Sequence, residues 1–411
     1  MHRLRVFTPR GLGLLCIGVA VLAAGSLLGQ RDFVALGVLA SSLPLLSLLT
    51  VARAPRTITH SRALQPARVS AGTDARVLLR ITNSSAALPI GGLLVEDTLP
   101  FPLGQEPRFA IGYLRPRGMQ DLSYRVRTNV RGNYPIGPLK LRFVDPLGCV
   151  RLRHRVGTHM SLLVTPPIVL LPESPLKGGS AETGRSSTRS VVGMGEDDVI
   201  PREYRHGDDL RRVHWRSTAR YGRIMVRREE HQWRDHSEIL LDMRAGAHAG
   251  AGPDSSLEAA VSAAASTALH LLGYGQEVRL VTDDRELPAH NAQSVIDALT
   301  VAQPSAADSL RGGLDLLSAA PVTGGGLFVA LLGALRPSES EALARARATA
   351  DRTCVAVLCR RAAWPSPEAL QQSEEVLLQA GWTVLEIGSA DELARTWPRL
   401  PARAGAKGGS L

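Results

Sequence analysis

The chain is poor in the residues from which disulfide frameworks and aromatic platforms are built. Its 411 residues include four cysteines, Cys16, Cys149, Cys354 and Cys359. Their spacing matches neither a zinc finger nor a redox pair. All four read as reduced structural thiols, which fits a cytoplasmic location for the soluble part. Aromatic residues make up 4% of the chain. No Walker loop, dinucleotide fingerprint, hydrolase elbow or paired metal-protease histidines occur. The triple glycine at 324–326 precedes a strand pattern instead of following one, so it reads as a turn and not a phosphate cradle. These absences exclude the common routes to nucleotide hydrolysis, hydride transfer and acyl transfer, and imply no cofactor.

Positive charge is not lacking: the formal net charge is +10, carried by arginine more than lysine. In a chain rich in alanine, arginine and glycine this is weak evidence for nucleic acid, and no nucleic-acid partner is expected. Two long apolar runs open the chain, Gly11–Gly29 and Phe33–Ala52. Each has about the 20 residues a spanning helix needs. Only Gln30, Arg31 and Asp32 separate them, so they form a tight hairpin. Arg3, Arg5 and Arg10 precede the first run and Arg53 and Arg56 follow the second, which by the positive-inside rule puts both ends in the cytoplasm. A cleaved signal peptide would leave the second run without a use, and no A-x-A site precedes Gln30. Pro44 is expected to kink the second helix at most.

Residues 56–172 alternate as strands do. The pattern marks Ala75–Asn83, Gly91–Asp97, Leu122–Thr128, Leu139–Val144 and Val150–Val156, separated by turn signals that include Arg131-Gly132-Asn133 and Asp145-Pro146-Leu147-Gly148. Short strands at this spacing predict an immunoglobulin-like β-sandwich. Residues 173–198 lack periodicity and are rich in Gly, Ser and Thr, as a linker would be. Beyond residue 236 strand and helix patterns alternate: strands at Ser237–Met243, Glu277–Thr282, Leu327–Leu332, Cys354–Leu358 and Thr383–Ile387, with helices at Asp254–Leu272, Asn291–Val301, Ser305–Ser318, Ser338–Asp351 and Ser366–Ala380. Ser338 with Glu341 has capping-box spacing. This is the pattern of a parallel sheet covered on both faces. The domain plan is therefore an anchor at 1–55, a β-sandwich at 56–172, a linker at 173–198, an α/β domain with its leading segment at 199–400, and a disordered tail at 401–411.

That leading segment, Val199–Gln232, is the only one dense in both charge and aromatics. Gly207 breaks an extended run, Asp208 or Asp209 can cap a helix, and Leu210, Val213, His214, Ser217 and Tyr221 recur at helical spacing. Gly222 fits the position just past the helix end, and Arg223–Glu229 alternates as a strand. The set Arg202, Tyr204, Gly207, Asp208, Arg211, His214, Trp215, Ala219, Arg220, Arg227 and Glu230 has three readings. It can be an Arg–carboxylate and aromatic lock holding this segment on the sheet. It can be a docking surface, since Arg, Trp and Tyr are the usual anchors of protein interfaces. It can be an anion site at a helix N-terminus, against which the interleaved acids argue. His206, His214, His231 and His236 match no zinc spacing and read as surface or capping residues.

These residues resemble the signature of the domain-of-unknown-function 58 family, R-x-Y-x-x-G-D-x-x-R-x-I-x-W-x-x-[ST]-A-R followed by a strand ending V-[RK]-x-x-E, with Val213 at the usual Ile position. The stretch Arg131–Pro138 followed by Asp145–Gly148 resembles the family's second recurrent pattern. The resemblance implies a bacterial two-pass inner-membrane protein whose partners are the lipid bilayer, a MoxR-type AAA+ ATPase and other envelope proteins, and it brings no biochemical activity. The first α/β strand, ending Leu241-Asp242-Met243-Arg244-Ala245-Gly246, resembles that of a von Willebrand factor A domain, which normally ends Asp-x-Ser-x-Ser and holds a divalent ion. Here Asp242 matches, while Arg244 and Gly246 replace the serines, and a guanidinium cannot ligate a cation. Asp242 is thus a weak metal candidate, expected to pair with Arg244 or cap a loop. Asp283 and Asp284 could rebuild a site with it, but read more simply as a solvated turn. The expectation is a non-catalytic membrane-anchored adaptor or assembly factor. The competing expectation is a metal-dependent hydrolase or adhesion module using Asp208, Asp209 and Asp242.

Overall fold

The computed structural model describes residues 6–173, 201–204, 213, 215–227, 236–319, 326–348, 353–359, 364 and 366–397. The expected linker beyond Glu173, the glycine turn at 324–325 and the tail at 401–411 lie outside the described residues.

Two helices come first, α1 (Pro9–Leu27) and α2 (Arg31–Thr57). Thr8 caps α1 by accepting from the Gly11 amide at 3.1 Å, and Pro9 follows in the first turn, where its missing N–H costs nothing. The buried residues of α1 are Gly11, Gly18 and Gly25. A Cβ on Gly18 would collide with Ser41, and one on Gly25 with Phe33 and Val34 of α2. Small residues at this repeat let the two backbones approach closely. The large side chains point outward, including Ile17 at 62% and Leu46 at 58% exposure. A pair of helices apolar on their outer surface is compatible with a membrane anchor. At 1.5 Å per residue α1 is about 28 Å long and α2 about 40 Å. The extra turns of α2 run through Pro55 and carry Val51 and Ala54 into the core of the next region.

That region is all β: β1 (Ile58–Gln65), β2 (Arg68–Ser70), β3 (Thr73–Asn83), β4 (Ile90–Asp97), β5 (Arg108–Leu114), β6 (Met119–Thr128), β7 (Gly132–Ile136), β8 (Leu139–Val144), β9 (Arg151–Val156) and β10 (Met160–Thr165). They form sheets of order β1-β3-β6, β5-β4-β8-β9 and β2-β10-β7. The alternation seen in β3 is genuine: Ala75, Val77, Leu79 and Ile81 enter one core with Leu93, Val95, Leu139, Leu141 and Phe143 of the four-stranded sheet. Beneath it Arg62 meets Asp97 at 2.6 Å, and the Tyr124 hydroxyl donates to the other oxygen of Asp97 at 2.6 Å. Burial, then the Asp97 charge, raises the Tyr124 pKa. Strands β1, β2, β5, β7 and β10 escaped the sequence pattern. In particular Gly132-Asn133 opens β7 and does not make a turn. Gly132 lies at φ +152°, and β7 is an edge strand, which is why Pro135 is tolerated within it.

The last region holds β11 (Pro201–Glu203), α3 (Trp215–Tyr221), β12 (Met225–Arg227), β13 (His236–Leu241), α4 (Ser256–Gly273), β14 (Glu277–Thr282), β15 (Glu286–Leu287), α5 (Ala292–Val301), α6 (Arg311–Ala319), β16 (Leu327–Leu332), α7 (Pro337–Ala348), β17 (Thr353–Cys359), α8 (Pro367–Gln379), β18 (Thr383–Ile387) and α9 (Ala390–Thr396). The main sheet has order β15-β14-β13-β16-β17-β18, parallel except for β15 at one edge. Ile239 and Leu241 pack with α4, α5 and α9, while Leu240 packs with α6, α7 and α8. Both faces are therefore covered, as the unbroken apolar strands require. The expected helix at Ser305–Ser318 starts only at Arg311, because Ser305 is drawn into a bridge with Arg244, its amide donating to the Met243 carbonyl at 2.7 Å. The predicted Ser338–Glu341 capping box is absent. Helix α7 begins at Pro337, and Glu339 accepts from the Arg336 amide at 2.9 Å instead.

The β and α/β regions are fastened together by Arg131, whose side chain is 4% exposed. Its guanidinium donates to the carbonyls of Leu299 and Ala302, each at 2.9 Å, and pairs with Glu258. A cation there also complements the C-terminal end of α5. Residues 166–173 form a strap along α4: the Ser262 hydroxyl donates to the Pro167 carbonyl, the Val169 amide donates to Ser266 at 3.0 Å, and Leu171 joins the core.

Candidate functional site

Two places concentrate chemistry. The first is the charged and aromatic segment. Its β11 and β12 pair antiparallel, Arg202 opposite Val226 and Glu203 opposite Met225, and Val213 bridges Val226. Val213 therefore belongs to the sheet and not to the helix, which begins at Trp215. The helix end is as expected: Gly222 adopts φ +66° and its amide donates to the Thr218 carbonyl at 2.9 Å. The Thr218 hydroxyl accepts from the Met225 amide at 3.0 Å, and the Tyr204 amide donates to the Ile224 carbonyl at 2.9 Å. Met225 and Val226 are buried, whereas Trp215 is 73%, Tyr221 61% and Ile224 44% exposed. Ala219 and Arg220 are exposed on the same short helix. Arg227 sits opposite Pro201 in the register. Gly207, Asp208, Asp209, Arg211, His214 and Glu230 lie outside the described residues, as do His206 and His231. His236 meets Glu277 at 2.8 Å.

The second place is the carboxyl end of the main sheet. In chain order its parallel strands run 2-1-3-4-5, so the order reverses between β13 and β16. In open α/β sheets the ligand crevice lies at such a reversal. Asp242 follows β13 and Gly333 and Ala334 follow β16, and between them lies the Arg244 guanidinium. Its Nε and Nη2 donate to the two Asp242 oxygens at 2.9 and 2.8 Å. Its Nη1 donates to Glu339 at 2.6 Å, and Nη2 also reaches the Ala334 carbonyl at 3.2 Å. The Gly333 amide completes the cage, donating to Asp242 at 3.2 Å. Asp242 is 0% exposed and Arg244 4%. Burial works against the guanidinium charge, but the Asp242 hydrogen bonds and charge, with Glu339, outweigh it and raise the Arg244 pKa.

His248 braces the same corner. Its Nε2 lies 2.9 Å from the Asp242 carbonyl and its Nδ1 3.0 Å from the Ser256 hydroxyl. A carbonyl can only accept, so Nε2 carries the proton and Nδ1 accepts. Burial lowers the His248 pKa despite the Asp242 charge, which matches this neutral tautomer. Asp283 and Asp284 divide. Asp284 is the solvated turn residue expected, paired with Arg285 at 2.6 Å. Asp283 is 2% exposed, with one oxygen accepting from the Met243 amide at 3.0 Å and the other without a partner. Among the described residues no cluster of three or more His, Cys, Asp or Glu could hold a metal ion. Glu339 was missed in the sequence because Glu341 offered the better capping spacing. The expected pairing of Asp242 with Arg244 is present, and what the sequence did not show is that Glu339 closes the same cage.

Residues 201–363 match the family described as "Protein of unknown function DUF58". No curated protein matches the chain. Among solved structures, a CARDB domain from Pyrococcus furiosus crystallised with di-metal ions is 13% identical and covers 26% of this chain and 91% of its own, with a TM-score of 0.19. The C-terminal domain of wzt is 9% identical, covers 26% and 74%, and scores 0.21. A GH20 exo-β-N-acetylglucosaminidase from Vibrio harveyi is 12% identical, covers 77% and 59%, and scores 0.19. Scores this low establish no common fold.

Proposed function

We propose that this protein is a non-catalytic, membrane-anchored adaptor, and that α3 and its flanks form its docking surface for a protein partner. The observation that carries the reading is the Arg244 cage. The sheet crevice where an α/β domain would take a ligand is filled by the chain's own cation, held by Asp242 and Glu339. If the α/β region is of von Willebrand A type, this guanidinium stands where the divalent ion would be, its charge already satisfied. The competing metal-dependent reading draws no support from Asp242, which is committed to Arg244. Among the described residues, Trp215, Arg220, Tyr221 and Ile224 present an exposed face, a composition suited to an interface hot spot. The β region, read as an immunoglobulin-like sandwich, is a spacer between anchor and docking face. The family resemblance supports a MoxR-type AAA+ ATPase as the partner and a cytoplasmic placement of both soluble regions.

The test is co-elution of the purified full-length protein with a purified MoxR-type ATPase from the same cell, in detergent micelles. The expected result is complex formation that Trp215→Ala with Arg220→Ala abolishes while the melting temperature stays unchanged. Titration of Mg2+, Mn2+ or Zn2+ is expected to give only heats of dilution. Undiminished capture by the double variant removes the docking role, and tight divalent binding lost in Asp242→Ala restores the metal reading.

A further inference from the structure

The second recurrent pattern of the chain has no part in the docking surface, yet its turn Asp145-Pro146-Leu147-Gly148 is tightly built. The Gly148 amide donates to the Asp145 carbonyl at 3.0 Å. The Asp145 carboxylate accepts from the amides of Leu147 at 3.2 Å and Val150 at 2.6 Å. Pro146 suits the second position of such a turn. The turn is seated on the start of α1: the Thr8 amide donates to the Cys149 carbonyl at 2.9 Å and the Thr8 hydroxyl to the Gly148 carbonyl at 2.5 Å. A Cβ on Gly11 would strike the Cys149 backbone. Gly11 is the first residue of the first apolar run. The turn therefore stands at the depth where the helix enters its apolar surroundings, and at its tip Leu147 is 54% exposed.

Around this level, five exposed charges among the described residues are of one sign. Arg10 is in the first turns of α1, and Arg53 and Arg56 are in the last turns of α2, at the same end of the hairpin. Arg151 begins β9, its amide donating to the Val6 carbonyl at 2.7 Å, and Arg153 follows on the same outer face. All five are exposed, and none has a carboxylate partner among the described residues. The acid within the turn, Asp145, is buried and committed to backbone amides. Strand β9 then runs from the helix starts toward His60, whose ring a Cβ on Gly157 would touch, so successive outward arginines stand about 6.6 Å apart.

We propose that this collar is a binding site for anionic phospholipid headgroups, with Leu147 inserted as an apolar wedge at the bilayer interface. The site rests on the anchoring reading of α1 and α2. Phosphate oxygens complement the guanidinium fork, and cationic residues beside an anionic leaflet gain attraction that falls with ionic strength. The collar would hold the docking face of the α/β region at one height and orientation over the membrane, because Arg131 fastens that region to the β region.

The experiment uses the full chain carrying Cys16→Ala, with the three remaining cysteines buried, and a single environment-sensitive fluorophore on Leu147→Cys. Labels on Leu36→Cys in α2 and Ser318→Cys in α6 serve as references. The protein is reconstituted into phosphatidylcholine vesicles with and without phosphatidylglycerol, with shallow spin-labelled lipids as quenchers. The expected result is about two-fold stronger quenching at 147 when phosphatidylglycerol is present, reduced by salt and by Arg53→Gln with Arg151→Gln and Arg153→Gln, and none at 318. Solvent-like emission at 147 in both vesicles overturns the proposal, as does quenching that ignores lipid charge. If the 147 label is shielded only by an added acidic protein, the collar is a protein site and the proposal falls. The label at 36 separates the cases: quenching at 36 without quenching at 147 refutes the collar alone, while no quenching at 36 refutes the anchor itself.

Discussion

Replacing Arg244 by methionine keeps most of the side-chain volume and removes the charge that Asp242 and Glu339 share. Both acids stay buried, at 0% and 5% exposure, and Asp242 loses two hydrogen bonds shorter than 3 Å and Glu339 one. Breaking a buried ion pair from one side costs about 3–5 kcal/mol. At about 2–4 °C per kcal/mol for a region of this size, the melting temperature should fall by about 6–20 °C. The loss should also depend on pH. Without the guanidinium the two carboxyls are buried with no counter-charge, which penalises their ionised form and not their protonated one. The gap between variant and parent should therefore narrow as pH falls from 8 toward 5, and widen in the other direction. Thermal melts of both proteins across that range, in one detergent, read the effect. A loss under about 1 kcal/mol, or one equal at every pH, would refute the view that Arg244 is the cation of a closed cage.

Two further predictions concern the junction and the histidines. Arg131→Met leaves the carbonyls of Leu299 and Ala302 and the Glu258 carboxylate without their buried donor, so calorimetry should show the β and α/β regions melting in separate transitions where the parent shows one, with a cost of about 3–5 kcal/mol; a single unshifted transition counts against the latch. His60, His248 and His270 all have pKa values lowered, in each case first by burial. The folded state thus binds fewer protons than the unfolded one, so stability should be fully present above pH of about 6.5 and decline below it. His248→Gln should flatten part of that decline, and an unchanged slope would mean His248 contributes nothing to it.

The sequence alone determined what depends on local pattern. Two runs of apolar residues made two helices because hydrophobic length and hairpin spacing need no tertiary partner to be read. The strands Leu327–Leu332 and Thr383–Ile387 match to the residue, the first because a buried central parallel strand is a continuous apolar segment bounded by polar ones. Gly222 was legible because a left-handed helix end admits little else. The strands β1, β5 and β7 were not, because their residues are polar or include Gly and Pro and become strands only through a neighbour's hydrogen bonds. The helix start at Ser305 and the Ser338–Glu341 capping box were misassigned for the same reason: local spacing lost to a bridge between Ser305 and Arg244 and to Glu339, which takes the Arg336 amide and the Arg244 guanidinium. The pairing of Asp242 with Arg244 was legible from their adjacency, but nothing in the spacing of Arg244 and Glu339, or of Arg131 and Glu258, says that they meet. Those pairs lie across 95 and 127 positions of chain, and only the winding of the sheet and the docking of its neighbour bring the charges together. Once buried there, they have no partner but each other.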